Sequence, residues 1–503
     1  MIMAVAATWG LQLLDDGYYY LQVAWNISRG AGSSFDGIHS TNGYHPLWQL
    51  MLVPVHWVSS KDLAAWGATA LQALLFCASG LVLCGIVRKC GGTRTASVFA
   101  CGFWVMNFWL WGKGAMSGME TGLLLLLFGL VLLSMARLAE EGGSGWRTGA
   151  LLALATAARL DSFALVLAAA LLLLVSGRRR ASLRVIVPSA AYLAVYFPFN
   201  LLVFGGLTPV SGYVKSETGR VLFQALLRDG STAIFSHAAG NLLELATLGG
   251  RIPAGVTVPA LGIVLTVMVV LFRKSSGILR MLLGTVTVYG GALVLFYALM
   301  YPSLLGAYTY YWIPLLYGIT AVVFASLQYL RPRWNGVILA AAAVILAVFD
   351  LVYAGDRLAS YSFTVPPDRR PDAAGVEYLE SLEGDVIIGS WDAGYLGYNC
   401  VHPVVNLDGL VSSYAYQRFL RDHGLEEWIR REGITYLANV DYWSGKRDFI
   451  EGRLGWRSVF EDTVAMSRPV SVFSLSPQDL AYASRELRIF YVYAPDGDRD
   501  RSP

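Results

Sequence analysis

Two adjacent carboxylates near the start of the chain are the first residues whose type could do chemistry. Asp15 and Asp16 follow a short apolar run, and three tyrosines occupy residues 18–20 directly after them. A charge is costly in a membrane chain, so a pair retained at the edge of an apolar segment favours a functional role. Within hydrogen-bond reach of a hydroxyl, a carboxylate can act as a general base and take the proton during nucleophilic attack. We therefore expect Asp15 or Asp16 to be catalytic.

The elements that position this pair are predicted to be membrane helices. Of the 503 residues, 55% are hydrophobic and only 15% are charged. A soluble chain of this length needs more charge to cover its surface, and several apolar runs reach the roughly 18 residues of a membrane helix. The five cysteines show no spacing typical of a disulfide framework. Composition therefore predicts a polytopic α-helical membrane protein.

Apolar runs predict about 10–12 membrane helices in a transmembrane catalytic domain over residues 1–355. Residues 1–14 would span only about 21 Å, so we interpret them as the outer part of a first helix. The stretch 148–175 contains the charged step Arg159-Leu160-Asp161, where we expect two short helices to meet. The later runs lie at about 46–58, 63–87, 96–111, 120–139, 148–175, 183–204, 254–273, 280–300, 307–328 and 334–353.

Basic loops predict the orientation of these helices, because short loops rich in Lys and Arg stay in the cytoplasm. Such loops lie near residues 88–94, 137–147, 178–184, 273–280 and 331–333. The connections at 15–45, 112–120, 205–253 and 301–310 then fall on the exoplasmic side, together with everything after 354. We expect a protein of the cytoplasmic (inner) membrane whose active site and C-terminal domain face the periplasm or the cell exterior.

This threading brings distant polar residues to the membrane face that carries the two aspartates. A gathering of this kind at a membrane boundary indicates a binding site. The predicted substrate-binding residues are Tyr18, His45, Glu120, Arg159, Asp161, Lys215 and Tyr310.

Each of these residues also has a purely structural explanation. Glu120 lies where a carboxylate stabilises a helix N-terminus, and Arg159 with Asp161 could be an ion pair that holds the helix break together. His45 could be a helix-entry residue packed on Trp48. Lysines in loops are usually solvated, and tyrosines at helix ends are typical of an interfacial aromatic belt. A functional site requires these side chains to meet in one pocket near the aspartates.

The chain changes character after about residue 370, where charges and turns increase and apolar runs shorten. Strands are predicted at DVIIGSW, PVVNLDG, ITYLANV, RSVFEDT and VSVFSLS, with an amphipathic helix over 413–432. These elements predict an exoplasmic α/β domain over 370–483. DAGYLGY is not a phosphate loop, because it lacks both the G-x-G-x-x-G and the G-K-[ST] pattern. We expect residues 484–503, which end in DGDRDRSP, to be a disordered tail.

Several motifs follow one another along the chain. They begin with the DD pair, Ala24, Asn26, Ile27, Gly30 and Gly32 in an A-x-N-I-x-x-G-x-G loop, and GYHPLW before the next helix. They continue with SGMET at 117–121, ARLDS at 158–162, PVSGYVKS at 209–216 and DAG…GY…NLDGL at 392–410. The order of these motifs resembles the GT-C superfamily of integral-membrane glycosyltransferases, and is similar to that of the mycobacterial terminal arabinofuranosyltransferase type. Leu160 departs from the pattern, since a proline is common there.

The resemblance implies sugar transfer from a polyprenyl-phosphate-linked donor to an exoplasmic glycan, lipid or protein acceptor. Asp15 or Asp16 would be the general base, and Arg159 and Lys215 would stabilise charge on the leaving lipid phosphate. A divalent cation, Mg²⁺ or Mn²⁺, held by Asp15 and Asp16 is a further expectation. The prenyl chain would stay in the bilayer, and no nucleic-acid partner is expected.

A transporter or flippase of a lipid-linked or small polar substrate is the alternative function. It would also have intramembrane charges and a broken helix. The sequence contains no evident inverted repeat, and its polar residues gather at one membrane face instead of the midplane. These features favour the enzyme, while the sugar, the acceptor and the stereochemical outcome stay open.

Overall fold

The computed structural model describes residues 13–112, 117–247, 270–300 except 271 and 276, 309–329, parts of 336–351, 371–440, 471–474 and 486–491. The apolar residues 1–12, most of the predicted helix at 254–273 and the predicted strand RSVFEDT lie outside these ranges.

Helices make up most of the described chain. The first eight are α1 (Asp15–Ser28), α2 (Pro46–Trp57), α3 (Lys61–Lys89), α4 (Arg94–Val105), α5 (Thr121–Glu141), α6 (Trp146–Ala158), α7 (Phe163–Val175) and α8 (Arg179–Phe204). They are followed by α9 (Val210–Asp229), α10 (Ser231–Thr247), α11 (Gly277–Met300), α12 (Ile313–Ser326) and α13 (Pro371–Glu380). The C-terminal part adds β1 (Ile388–Ser390), α14 (Gly394–Asn399), β2 (Val404–Asn406), α15 (Tyr414–His423), α16 (Leu425–Arg431), β3 (Tyr436–Val440), β4 (Ser471–Ser474) and β5 (Glu486–Tyr491).

Four of the described helices, α3, α5, α8 and α11, are long and apolar enough to cross a membrane. Helix α3 packs closely against α5 and α4, and α11 packs against α5 and α7. Aromatic rings fill the space between them: the ring of Trp104 stacks on Phe76 at 5.9 Å and meets Tyr317 edge-on at 4.9 Å. The prediction of a polytopic helical membrane protein is confirmed.

The predicted break in the 148–175 stretch is also confirmed. Helix α6 ends at Ala158, Arg159 has an extended backbone with φ −160° and ψ 122°, and a short 3₁₀ turn at Leu160–Ser162 leads into α7. An extended residue cannot continue the helical hydrogen-bond ladder, so the chain changes direction at Arg159. The break forms with leucine at position 160.

The C-terminal part forms a small α/β domain. Its five strands have the order β2-β1-β3-β5-β4, with β1 parallel to β2 and β3, and β5 antiparallel to β3 and β4. The helix predicted over 413–432 divides at Gly424, whose φ of 82° few other residues adopt. The prediction of a disordered tail from 484 is wrong for β5, because its backbone pairs with two strands.

Helix α1 lies between the membrane helices and the C-terminal domain. On one side, Tyr20 and Leu21 belong to the membrane core. On the other, Tyr19 and Val23 pack with residues of the C-terminal domain in a second core, and α14 contacts α1 directly. The helix that begins with the two aspartates is therefore buried on both sides, which fixes its position.

Candidate active site

Close backbone packing places Glu120 next to the start of α1. Gly17 lies against the backbone of Ser117, where a Cβ on the glycine would overlap the carbonyl oxygen. The indole N–H of Trp48 on α2 donates to the carbonyl oxygen of Gly118 at 3.0 Å. The segment before α5 is thus held between α1 and α2, so the Glu120 side chain points into the space between them.

Glu120 is the centre of a buried polar group from four different segments. Its side chain is 1% exposed, and the Tyr20 hydroxyl donates to its Oε2 at 2.9 Å. Its Oε1 lies 3.8 Å from His45 Nε2 and 3.9 Å from Arg159 Nε. The main-chain N–H of His45 also donates to the Tyr20 hydroxyl at 3.2 Å. The structure therefore brings together Glu120, His45 and Arg159, as the sequence predicted, and adds Tyr20.

The Arg159 guanidinium is fixed by several partners. It is 2% exposed and donates to both carboxylate oxygens of Asp161, from Nε at 3.0 Å and from Nη2 at 2.5 Å. Its Nη1 donates to the carbonyl oxygen of Tyr310 at 3.5 Å. The guanidinium Cζ lies 4.8 Å from the ring centroid of Tyr311. A planar guanidinium held this way presents its charge in one orientation. The predicted site residues Asp161 and Tyr310 therefore both accept hydrogen bonds from Arg159.

Lys215 approaches the same group from α9. The residue is half-buried, and its positive charge acts on His45. Burial lowers the pKa of the His45 imidazole; the Glu120 carboxylate opposes this effect, while Arg159 and Lys215 reinforce it. A neutral imidazole between these charges can accept or donate a hydrogen bond at neutral pH.

The two adjacent aspartates have different surroundings. The main-chain N–H of Tyr395 donates to Oδ1 of Asp15 at 3.1 Å, and Oδ2 of Asp15 is buried without a hydrogen-bond partner. A Cβ at Gly394 would overlap the Asp15 carboxylate. Burial, followed by the charge of Asp392, raises the pKa of Asp15 well above its usual range. Asp15 is therefore enclosed by the C-terminal domain.

Asp16 is the next residue of α1 and points to a different side of the helix. Residues four apart lie on the same side of a helix, so Asp16 shares the side of Tyr20 and Asp15 shares that of Tyr19. Tyr20 reaches Glu120, whereas Tyr19 reaches the C-terminal domain. Asp16 is half-buried, and its charge acts on Tyr20 as well as on Tyr19 and Asp408.

A second polar network, which the sequence did not assign to the site, surrounds Tyr19. Its hydroxyl donates to Oδ2 of Asp408 at 2.8 Å and accepts from Asn406 Nδ2 at 3.1 Å. Burial raises the pKa of Asp408 to about 7, although the N–H of Leu410 donates to its Oδ1 at 2.7 Å. The motifs around Asp392 and Asp408 were visible in the sequence, but only the fold shows that they face α1.

Two solved structures are similar to this chain over almost its full length. The apo state of ArnT from Cupriavidus metallidurans matches with a TM-score of 0.50 and 12% identity, covering 98% of this chain and 96% of that one. The same protein bound to undecaprenyl phosphate has a TM-score of 0.49 and 13% identity, with 98% and 97% covered. No family model and no curated protein match the chain.

ArnT is a GT-C glycosyltransferase, and at this identity the similarity is one of fold. The chain has a GT-C fold. The predicted fold class is thereby confirmed, and in this GT-C fold the Glu120 group lies where α1, α2, α5 and the α6–α7 break meet.

The two remaining predictions, for Tyr18 and for a cation at Asp15 and Asp16, concern the start of α1. The ring of Tyr18 meets Tyr395 edge-on at 5.4 Å and packs on Tyr398 at 5.8 Å, so it contacts the C-terminal domain in addition to the membrane core. Among the described residues, no group of three His, Cys, Asp or Glu side chains is placed to hold a metal ion. The Oδ1 of Asp15 accepts an amide N–H, whereas its Oδ2 has no hydrogen-bond partner, so a cation held by Asp15 and Asp16 stays a prediction.

Proposed function

We propose that this protein is a membrane glycosyltransferase that moves a sugar from a polyprenyl-phosphate-linked donor to an exoplasmic acceptor. The observation that carries the proposal is the meeting of Glu120, His45 and Arg159 beside the helix that begins with the aspartates. Buried polar groups from four segments, two of them charged, are costly to bring together, and a catalytic site is the usual reason for such a cluster. The GT-C fold and the motif resemblance support the same class of reaction.

We assign the general base to Asp16. An ionised carboxylate near the acceptor hydroxyl takes its proton as the hydroxyl oxygen attacks the anomeric carbon. Asp16 lies on the Tyr20 side of α1, toward the Glu120 group, and is half-buried. Burial raises the pKa of Asp15, which makes its ionised form less favourable, and its carboxyl group is held by the N–H of Tyr395. Asp15 then positions α1 against the C-terminal domain.

Arg159 and Lys215 are assigned to the donor phosphate. When the bond from the anomeric carbon to the phosphate oxygen breaks, negative charge develops on the phosphate, and a nearby fixed cation stabilises it. Arg159 is held in one orientation by Asp161 and Tyr310, while Lys215 acts on the same region from α9. Glu120 and the neutral His45 would then accept and donate hydrogen bonds to sugar hydroxyls.

The position of the site at helix ends suits a lipid-linked donor. The Glu120 group lies at the N-terminus of α5, and α5 is long and apolar enough to cross a membrane. A prenyl chain could remain in the bilayer while the phosphate reaches the polar group at the boundary. We assign the protein to the cytoplasmic (inner) membrane, with this site and the C-terminal domain facing the periplasm or cell exterior.

The decisive experiment uses the purified full-length protein in nanodiscs with a panel of labelled polyprenyl-phosphate pentoses and hexoses. Release of polyprenyl phosphate together with a glycosylated product from at least one donor supports the proposal. A polyprenyl-phosphate arabinofuranose belongs in the panel because of the arabinofuranosyltransferase-like motif order. Movement of an intact donor across liposomes, with no bond cleavage for any donor, would establish the transporter instead.

A further inference from the structure

A cavity of about 600 Å³ opens at the other end of α3 and α5, outside the site described above. Gly85 and Arg88 are three residues apart on α3, and Leu133 and Arg137 are four apart on α5, so each pair lies on one side of its helix. The cavity is thus a cleft between two packed helices. Its lining residues are Gly85, Arg88, Lys89, Leu133, Arg137, Glu141 and Arg147.

This cavity lies at the membrane boundary opposite the candidate active site. Helix α5 has 21 residues, so it extends about 30 Å from the Glu120 group to Glu141. Helix α3 runs between the same two boundaries. Its first residue, Lys61, donates from Nζ to the carbonyl oxygen of Tyr398 in the C-terminal domain at 2.6 Å. Its last residue, Lys89, lines the cavity.

The charge of the lining is strongly positive, with four cations and one carboxylate. Lys89 is neutralised by ion pairs with Glu140 and with Glu141, the latter at 2.7 Å. Within the described ranges, Arg88, Arg137 and Arg147 form no close ion pair, although the charge of Arg137 acts on Glu141 four residues later. Three exposed guanidinium groups therefore face one cleft, an arrangement suited to a phosphate because each can donate two parallel hydrogen bonds.

The surroundings indicate a lipid phosphate instead of a soluble one. Trp146, next to Arg147, is 47% exposed, and tryptophan favours the boundary between lipid and water. Two of the lining residues are apolar and adjacent: a Cβ at Gly85 would lie 3.8 Å from Leu133 Cδ2, in ordinary contact. Glycine at this position leaves space between the helices in which the first carbons of a lipid can lie.

We propose that this cleft binds the headgroup phosphate of an anionic phospholipid from the leaflet opposite the candidate active site. Arg88, Arg137 and Arg147 hold the phosphate, and Gly85 with Leu133 forms the apolar floor. Basic clefts between membrane helices are a recurring way to recognise anionic headgroups. The inference rests on the cleft alone and does not depend on the reaction at the other membrane face.

The test is a binding titration of the detergent-purified full-length protein. Fluorescent phosphatidylglycerol is the anionic probe, phosphatidylcholine is the neutral lipid, and inorganic phosphate is the soluble competitor. The test variant is Arg88→Gln/Arg137→Gln/Arg147→Gln. The matched control is Arg94→Gln/Arg179→Gln/Arg180→Gln, which removes three exposed arginines from helix starts at the same membrane boundary.

We expect the test variant to bind phosphatidylglycerol at least about tenfold more weakly than the wild type, and the control less than about threefold more weakly. Gly85→Leu fills the cleft without changing its charge, and it should weaken the same binding. Equal losses in the two triple variants would mean attraction to general surface charge and would overturn the proposal. Wild-type affinity in Gly85→Leu, no preference over phosphatidylcholine, or displacement by inorganic phosphate at matched concentration would overturn it too.

Discussion

The main-chain N–H of Tyr395 donates to Oδ1 of Asp15 at 3.1 Å, although these residues lie near opposite ends of the chain. The C-terminal domain thereby holds one member of the aspartate pair. Asp16, one position further around α1, lies on the side of Tyr20 and the Glu120 group. We therefore expect the two adjacent aspartates to have separate tasks, which single substitutions can distinguish.

Asp16→Asn should lower the rate of sugar transfer by about 100-fold or more, as expected for loss of a positioned base. Asparagine has nearly the same shape, so the melting temperature should stay close to that of the wild type. Asp15→Asn is the matched control: its Oδ1 can still accept the Tyr395 N–H, and we expect a much smaller loss of rate. The measurement is kcat with a polyprenyl-phosphate-linked donor. Full activity in Asp16→Asn would remove it from the mechanism.

Lys215→Ala should raise KM for the lipid-linked donor by about tenfold, with little change in thermal stability. The residue is half-buried on α9, and its charge reaches the Glu120 group. A lost charge-assisted contact to phosphate is worth about this factor. Lys215→Arg keeps the charge and should recover most of the affinity. Normal donor kinetics in Lys215→Ala would show that the phosphate binds elsewhere.

Arg159→Gln should destabilise the protein as well as impair transfer. Arg159 is 2% exposed, and its removal leaves Asp161 and Glu120 without their cation. Loss of one partner of a buried ion pair costs about 3–5 kcal/mol. The double variant Arg159→Gln/Asp161→Asn should regain part of that stability, measured by thermal unfolding. If the single variant unfolds like the wild type, the pair does not hold the helix break.

Local signals in the sequence predicted the parts of this structure that depend on local residues. The charged step at Arg159 predicted the break in the 148–175 stretch, and the alternating runs predicted four strands of the C-terminal domain. The contact between α1 and the C-terminal domain had no such signal, which is why the enclosure of Asp15 by α14 was not foreseen. The strand β5 was missed because the charged residues that follow it suggested disorder, whereas its pairing with β3 and β4 decides its structure.

Asp408 should make the protein less stable as the pH rises. Burial raises its pKa to about 7 in the folded state, above the usual 3.8, so folded Asp408 binds more protons between these values. The free energy of unfolding therefore decreases as the pH rises through this range, and the full cost of a buried charge is present above about pH 7. Asp408→Asn removes this charge.

The Asp408→Asn variant should therefore gain stability relative to the wild type, and the gain should be larger at about pH 8.5 than at about pH 5. Melting temperatures of both proteins at the two pH values provide the measurement. A gain that is the same at both values, or a loss at about pH 8.5, would contradict a buried carboxylate with a raised pKa.

His39, in the loop between α1 and α2, lies between the carboxylates of Asp36 and Glu432. It thereby links this loop to the C-terminal domain. Its Nδ1 lies 2.7 Å from Asp36 Oδ2, and its Nε2 lies 2.9 Å from Glu432 Oε2. Burial opposes the charged imidazole, but the hydrogen bonds and charges of the two carboxylates outweigh it and raise the pKa of His39. Its ring packs on Trp428 at 5.5 Å, and the Nε of Arg431 lies 3.6 Å from Glu432 Oε1.

Because the folded pKa of His39 is raised, its contribution to stability is complete below the unfolded value of about 6.5 and is lost as the pH rises through the folded value. His39→Gln should therefore lower the melting temperature at about pH 5.5 and much less at about pH 9. Glu432→Gln should act in the same way, and the two changes combined should cost less than their sum, because they remove one contact. His423→Gln, which removes a histidine of the same domain whose ring stacks on Phe419, is the matched control for the loss of a packed imidazole ring. Equal losses from His39→Gln at both pH values would mean that its ring only packs, and that protonation does not strengthen the junction between the first loop and the C-terminal domain.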